Sequence, residues 1–210
     1  DAVASPNVKV ITVGNPCNTN TLIACANAPN IPSRQFTAMT RLDQNRAVGQ
    51  MAEKAGVPAS MIQDVFIWGN HANTMYPDPS VATISGQNAV DVFDEEWLQG
   101  DFLGTVATRG KAIIEARGAS SAASAASAAV DHMRDWWQGS GGRIVSMALP
   151  SEGWYGVPEG LVFSFPCRCE NGEILVLDDL VVDAFAQSKI DENIAALMGE
   201  RAAVSELLTD

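Results

Sequence analysis

The sequence predicts an α/β chain in which one strand of parallel-sheet character precedes a mixed domain of helices and antiparallel strands. Three observations carry this. The run Val8–Val13 is rich in β-branched residues and closes in the turn residues Gly14-Asn15-Pro16, the pattern of a strand buried on both faces. Long helical patterns fill the middle and the end of the chain. Three apolar runs lie between them, and the last two are joined by Asn171-Gly172, a dipeptide that favours a tight hairpin.

In order along the chain, residues 18–28 read as a short helix, begun at Asn or Thr and stopped near Pro29. After a loop rich in Pro, Asn and Ser, residues 36–55 read as a strong helix ended by Gly56 and Pro58. Val65-Phe66-Ile67-Trp68 is a strand with Gly69-Asn70-His71 as its terminal turn, and residues 81–84 are a further strand. A long helical region runs from Asp94 to about Trp137, broken near Gly118. Its Ala- and Ser-rich middle, residues 116–129, reads as a closely packed helix, because Ala is the best helix former and small side chains allow close contact. Gly139–Gly142 is a loop. Strands are expected at 144–148, 161–169 and 174–176, and an amphipathic helix at 183–208 carries Ile190, Ile194, Leu197, Met198, Val204 and Leu208.

Composition narrows the partners. Of the 210 residues 47% are apolar, enough for a sizeable core. The formal charge of −12 disfavours nucleic acid, whose phosphates need a basic surface, and an anionic membrane. No apolar run is long enough to span a bilayer and no signal peptide is evident. The four cysteines form no C-x-x-C pair and read as reduced, small buried thiols, so a soluble intracellular protein is expected. An anionic substrate would need a local cation, in the first place an arginine.

Only two histidines exist. His132, within the Ala-rich helix, reads as a surface or capping residue. His71 follows a buried strand, where catalytic groups concentrate, although an ordinary loop histidine fits the same position. Neither has the spacing of a metal ligand set, and no metal is expected. In Thr40-Arg41-Leu42-Asp43-Gln44-Asn45-Arg46, helical geometry puts Asp43 and Arg46 three apart on a semi-apolar face. A surface ion pair would explain them. So would a functional set in which Asp43 orients a histidine and Arg46 grips a carboxylate with two parallel hydrogen bonds. A histidine that exchanges protons near neutrality completes the chemistry needed for redox on a 2-hydroxy acid.

Val13-Gly14-Asn15-Pro16, then Thr40-Arg41-Leu42-Asp43-Gln44-Asn45-Arg46-Ala47, then Ile67-Trp68-Gly69-Asn70-His71 resemble three successive signatures of malate dehydrogenases of the cytosolic type, within the lactate/malate dehydrogenase family. Arg117-Gly118-Ala119-Ser120-Ser121-Ala122 and Tyr155-Gly156-Val157-Pro158 extend the likeness over nearly the whole chain. The resemblance implies His71 as general acid/base, Asp43 as its partner, and Arg46 on the substrate carboxylate. It also implies Asn15 on both substrate and cofactor, Val13 and Gly14 at the nicotinamide end of an NAD site, and Ser121 near substrate and nicotinamide. It further implies a homodimer, cytoplasmic location and the reversible oxidation of (S)-malate to oxaloacetate. Gln44 stands where the family often has histidine, and Met75 where glutamine is more usual.

The glycine fingerprint of a dinucleotide site is missing, as are the acidic ribose partner and the mobile arginine loop that selects malate over lactate in the family. The resemblance therefore implies the C-terminal catalytic portion of such an enzyme, without most of its NAD-binding half. Residues 1–20 would be the end of a Rossmann domain and residues 21–210 the substrate domain. Taken alone, such a chain is expected to bind NAD poorly. Two alternatives stay open: a non-catalytic dimerising remnant, and a dehydrogenase for lactate or another 2-hydroxy acid. A hydrolase is disfavoured, since no G-x-S-x-G elbow occurs.

Overall fold

A computed structural model describes residues 1–120 and 122–208. In chain order the elements are β1 (Val10–Thr12), α1 (Cys17–Ala26), β2 (Phe36–Ala38), α2 (Arg41–Ala55), β3 (Ile62–Gln63), β4 (Phe66–Trp68), β5 (Tyr76–Asp78), β6 (Thr83–Ile84) and β7 (Gln87–Asn88). They continue with α3 (Ala89–Val92), α4 (Glu95–Gln99), α5 (Asp101–Arg117), α6 (Ala122–Gln138), β8 (Val145–Pro150), β9 (Val162–Glu170), β10 (Glu173–Val176) and α7 (Ala184–Ala203).

One five-stranded sheet, in the order β1-β2-β8-β9-β10, organises the molecule. β1 and β2 pair in parallel, Val10 opposite Phe36, and every later pairing in the sheet is antiparallel. The helix expected over 36–55 is therefore corrected at its start. Phe36, Thr37 and Ala38 are fully buried strand residues, and the helix begins only at Arg41. β9 is the longest strand, buried along most of its length, and joins β10 through Asn171 and Gly172, both at positive φ (52° and 82°), as the expected tight hairpin requires.

The apolar interior has two parts. One packs Trp68, Trp136, Phe163, Phe165, Ile190 and Leu197 around the main sheet. The other packs Met51, Val65, Ile67, Phe93, Phe102 and Val106 between α2, α5 and the small strands. Burying each such side chain stabilises the fold by about 1.5–3 kcal/mol. The two parts meet along β4, which sends Phe66 and Trp68 into the first and Ile67 into the second, as strand alternation dictates. That double anchorage fixes the turn that follows β4.

The helical region after Asp94 is interrupted at Gly100 as well as at Gly118. The Ala-rich segment is not one closely packed helix: residues 116–120 are exposed and 118–120 are not helical, while residues 122–129 are helical but packed on one side only. Ala128 is buried against Met39 and Leu42, with Ala125 and Ala129 beside it, while most of the first turns of α6 face outward. At the far end, the Asp183 carboxylate accepts the Ala186 N–H at 2.7 Å and caps α7. All four cysteines are free thiols; Cys17, Cys167 and Cys169 are buried and Cys25 is half-buried.

Candidate active site

The second helix carries the acid. Asp43, in the first turn of α2, is fully buried. Burying a carboxylate is costly unless it is paired, and both of its oxygens are engaged. Oδ1 accepts from Arg46 Nη1 at 3.1 Å, and Oδ2 makes a short contact with His71 Nδ1. The aspartate, arginine and histidine singled out in the sequence thus meet, although 28 residues separate the first from the last.

His71 reaches this place because its loop is tied down. Gly69 forms a bridge with Ser164 of β9, Gly69 N to Ser164 O at 3.0 Å and Ser164 N to Gly69 O at 2.9 Å. The His71 N–H donates to Asn18 Oδ1 at 3.1 Å, while Asn18 Nδ2 donates to Gly69 O and Val162 O. The His71 side chain is 14% exposed, enough for its other nitrogen to meet a ligand. Burial by itself would lower the imidazole pKa. The hydrogen bond and charge of Asp43 outweigh burial and the opposing charge of Arg46, and the net pKa lies above its ordinary value of 6.5.

His71 and Arg46 open onto a cleft of about 680 Å³, bounded by the end of β1, by α2, by α5 and by the start of α6. Val13 and Asn15 stand on its wall, and Gly14 links them at the end of the strand. Ser121 lies outside the described residues; its neighbour Ser120 lines the cleft. Arg46 spends one nitrogen on Asp43. Among the described residues its Nε is buried without a hydrogen-bond partner, and a Cβ added at Gly110 would lie 3.3 Å from Nη2. The bare glycine therefore leaves room for the guanidinium on the α5 side. Lys111, the next residue, adds a second cation to the cleft and is held only loosely by Glu115 at 3.8 Å.

The two unusual residues separate cleanly. Met75 lines the cleft. Gln44 faces the core, where Nε2 donates to Val65 O and Ile144 O and Oε1 accepts from Ser146 N, so it ties α2 to β8 and to the segment leading into β4.

His132 corrects the expectation of a surface or capping histidine. It is fully buried, with Nε2 3.0 Å from Thr37 Oγ1. Burial, reinforced by the nearby Arg41 charge and opposed by Asp135, pushes its pKa down to about 3, so it stays neutral and takes up no second proton near neutrality. Cys17 lies near Asp43, but burial and then the Asp43 charge push its thiol up to about 12, which rules out a ready thiolate nucleophile.

Several residues around the site escaped the sequence reading: Asn18, Asn193 and Glu200 around the histidine loop, and Gly110 and Lys111 on the cleft. Asn193 left a signal, since it is a polar residue in the apolar row that runs from Ile190 to Leu197.

Comparison with known proteins agrees with this architecture. Residues 40–207 match the family model for the lactate/malate dehydrogenase alpha/beta C-terminal domain. A malate dehydrogenase structure from Naegleria fowleri superposes with a TM-score of 0.93 at 45% identity, covering 98% of this chain and 63% of that one. A Trichomonas vaginalis lactate dehydrogenase, solved in complex with NADH and oxamate, superposes with a TM-score of 0.93 at 38% identity, covering 98% of this chain and 64% of that one. A Cryptosporidium parvum malate dehydrogenase shares the fold at 18% identity, with a TM-score of 0.85. The present chain thus spans under two thirds of the length of the first two of these structures, and over that span it belongs to the lactate/malate dehydrogenase family.

Proposed function

We propose that this chain supplies the substrate-binding and proton-transfer groups of an NAD-dependent malate dehydrogenase, which interconverts (S)-malate and oxaloacetate. The observation that carries the reading is the buried Asp43 carboxylate bonded at once to His71 and Arg46 on one wall of a cleft. In the oxidative direction neutral His71 keeps its proton on Nδ1, facing Asp43, and takes the substrate hydroxyl proton on Nε2. The Asp43 charge stabilises the imidazolium so formed. Arg46 directs its remaining N–H groups to the carboxylate beside the reacting carbon and orients that carbon.

The residues present suit a nicotinamide. Val13, 40% exposed, offers an apolar surface beside the Asn15 amide on the same cleft. NAD, when bound, accepts the hydride; Val13, Gly14 and Asn15 would hold its nicotinamide end, and Asn15 would also touch substrate. The full assembly would be a homodimer in the cytoplasm.

Malate is preferred to lactate on the 45% identity to a malate dehydrogenase against 38% to a lactate dehydrogenase, since Lys111 on the cleft is matched there by Glu115. Turnover of malate, oxaloacetate, lactate and pyruvate by the natural full-length protein, followed by NADH absorbance, tests the reading. Malate and oxaloacetate should lead in kcat/KM by at least ~10-fold, a margin of about 1.4 kcal/mol in transition-state binding. Preference for pyruvate would replace malate by lactate, and failure to turn over any 2-hydroxy or 2-oxo acid would remove the dehydrogenase assignment.

A further inference from the structure

Besides Asn18, the loop that carries His71 is gripped by two side chains of α7 that do not line the cleft. Asn193, midway along α7, is fully buried. Its Oδ1 accepts the Asn70 N–H at 2.9 Å, and its Nδ2 donates to Thr74 O at 2.6 Å and to Lys189 O at 2.9 Å. One amide thus holds the backbone on both sides of His71. Further along α7, Glu200 accepts Asn70 Nδ2 at 2.7 Å and also the Thr19 hydroxyl.

Gly69 completes the fit. It has φ +89°, and a Cβ there would lie 2.2 Å from Asn193 Cγ. The backbone before the histidine can approach Asn193 this closely only as glycine. Asn193 occupies the row between Ile190 and Leu197, where an apolar side chain would avoid the desolvation cost of a buried amide. An apolar side chain there would leave the Asn70 N–H and the Thr74 carbonyl without these bonds.

We infer that Asn193, supported by Glu200, is a positioning residue for His71, so that α7 sets where the imidazole meets Asp43. The catalytic consequence rests on the proposed role of His71, but the positioning is measurable without turnover. His71 and His132 are the only histidines, so their imidazole C–H resonances in the NMR spectrum of the chain report two separate environments. The charged groups acting on His71, Asp43 and Arg46, both lie on α2 and remain in place in the variants.

In the parent protein His71 should titrate above 6.5, while His132 should not titrate through the neutral range. In Asn193→Ala the His71 midpoint should fall toward 6.5 as the Asp43 contact loosens, with His132 unmoved. An unchanged His71 midpoint in folded Asn193→Ala overturns the inference. Should that variant unfold, which a normally titrating His132 would reveal, Glu200→Ala at its half-buried position decides. A smaller downward shift of His71 supports the inference, and none overturns it.

In the natural full-length protein, Asn193→Ala should cut kcat by at least ~10-fold with KM nearly constant, because misplacing a reacting group costs rate while Arg46 still binds. A change in KM alone would contradict the positioning role. An inactive parent protein would remove the functional reading and leave the titration result standing, so the two fail separately.

Discussion

Replacing His132 by glutamine should make the fold markedly more resistant to acid. The imidazole is fully buried, hydrogen-bonded to Thr37 and close to Arg41, and its pKa is pushed from 6.5 to about 3. A histidine depressed in this way contributes stability above its unfolded value and loses it as pH falls toward the folded value, because the unfolded chain binds a proton that the folded chain excludes. At about pH 5 this linkage costs about 2 kcal/mol relative to about pH 8, rising toward about 4–5 kcal/mol near pH 3. Glutamine can keep a hydrogen bond to Thr37 and carries no titrating group. Urea unfolding of both proteins at the two pH values measures the effect, and His132→Gln should lose about 2 kcal/mol less than the parent between them. Equal losses would refute the reasoning and mean that position 132 accepts a proton without unfolding. The result bears on the site, because Thr37 lies in β2, immediately before the turn into α2.

Other outcomes follow from the same geometry. Asp43→Asn should lower malate oxidation by roughly 10²–10⁴-fold and move the His71 midpoint downward, since burial then acts without the opposing carboxylate; the pH profile of kcat/KM and the imidazole titration check both. Arg46→Lys should raise KM for malate by roughly 30-fold, the loss of about 2 kcal/mol of charge-assisted hydrogen bonding, with a smaller change in kcat. Leu197→Ala removes a buried side chain from beneath the main sheet and should cost about 2–5 kcal/mol in urea unfolding, leaving the His71 midpoint unchanged if the loop stays seated.

The strands at 144–148, 161–169 and 174–176 and the hairpin at Asn171-Gly172 were legible because alternation, length and turn chemistry agreed. β2 was not. Phe36-Thr37-Ala38 runs without a breaker into Met39-Thr40, and only its parallel pairing with β1 makes it a strand, a tertiary effect that local pattern does not contain. His132 differs from its sequence expectation for a similar reason. Ala-rich surroundings suggest an exposed helix, yet Ala128, His132, Asp135 and Trp136 form one buried stripe at helical spacing.

Within the site, the Asp43–Arg46 pair could be read from its i,i+3 spacing. The arrival of His71 depends on β4 meeting β9 and on Asn18, and no local rule announces that. The clamp from α7 is still less visible, because Asn70 and Asn193 lie 123 positions apart.

In the proposed function the imidazole at position 71 moves the substrate proton while other groups hold the cofactor. The most direct measurement compares parent and His71→Asn forms of the natural full-length protein for malate turnover and for NAD affinity by calorimetry. Turnover should fall by more than ~10²-fold with NAD affinity unchanged within about twofold. A variant that keeps its turnover, or that loses NAD affinity as steeply as turnover, would contradict the claim.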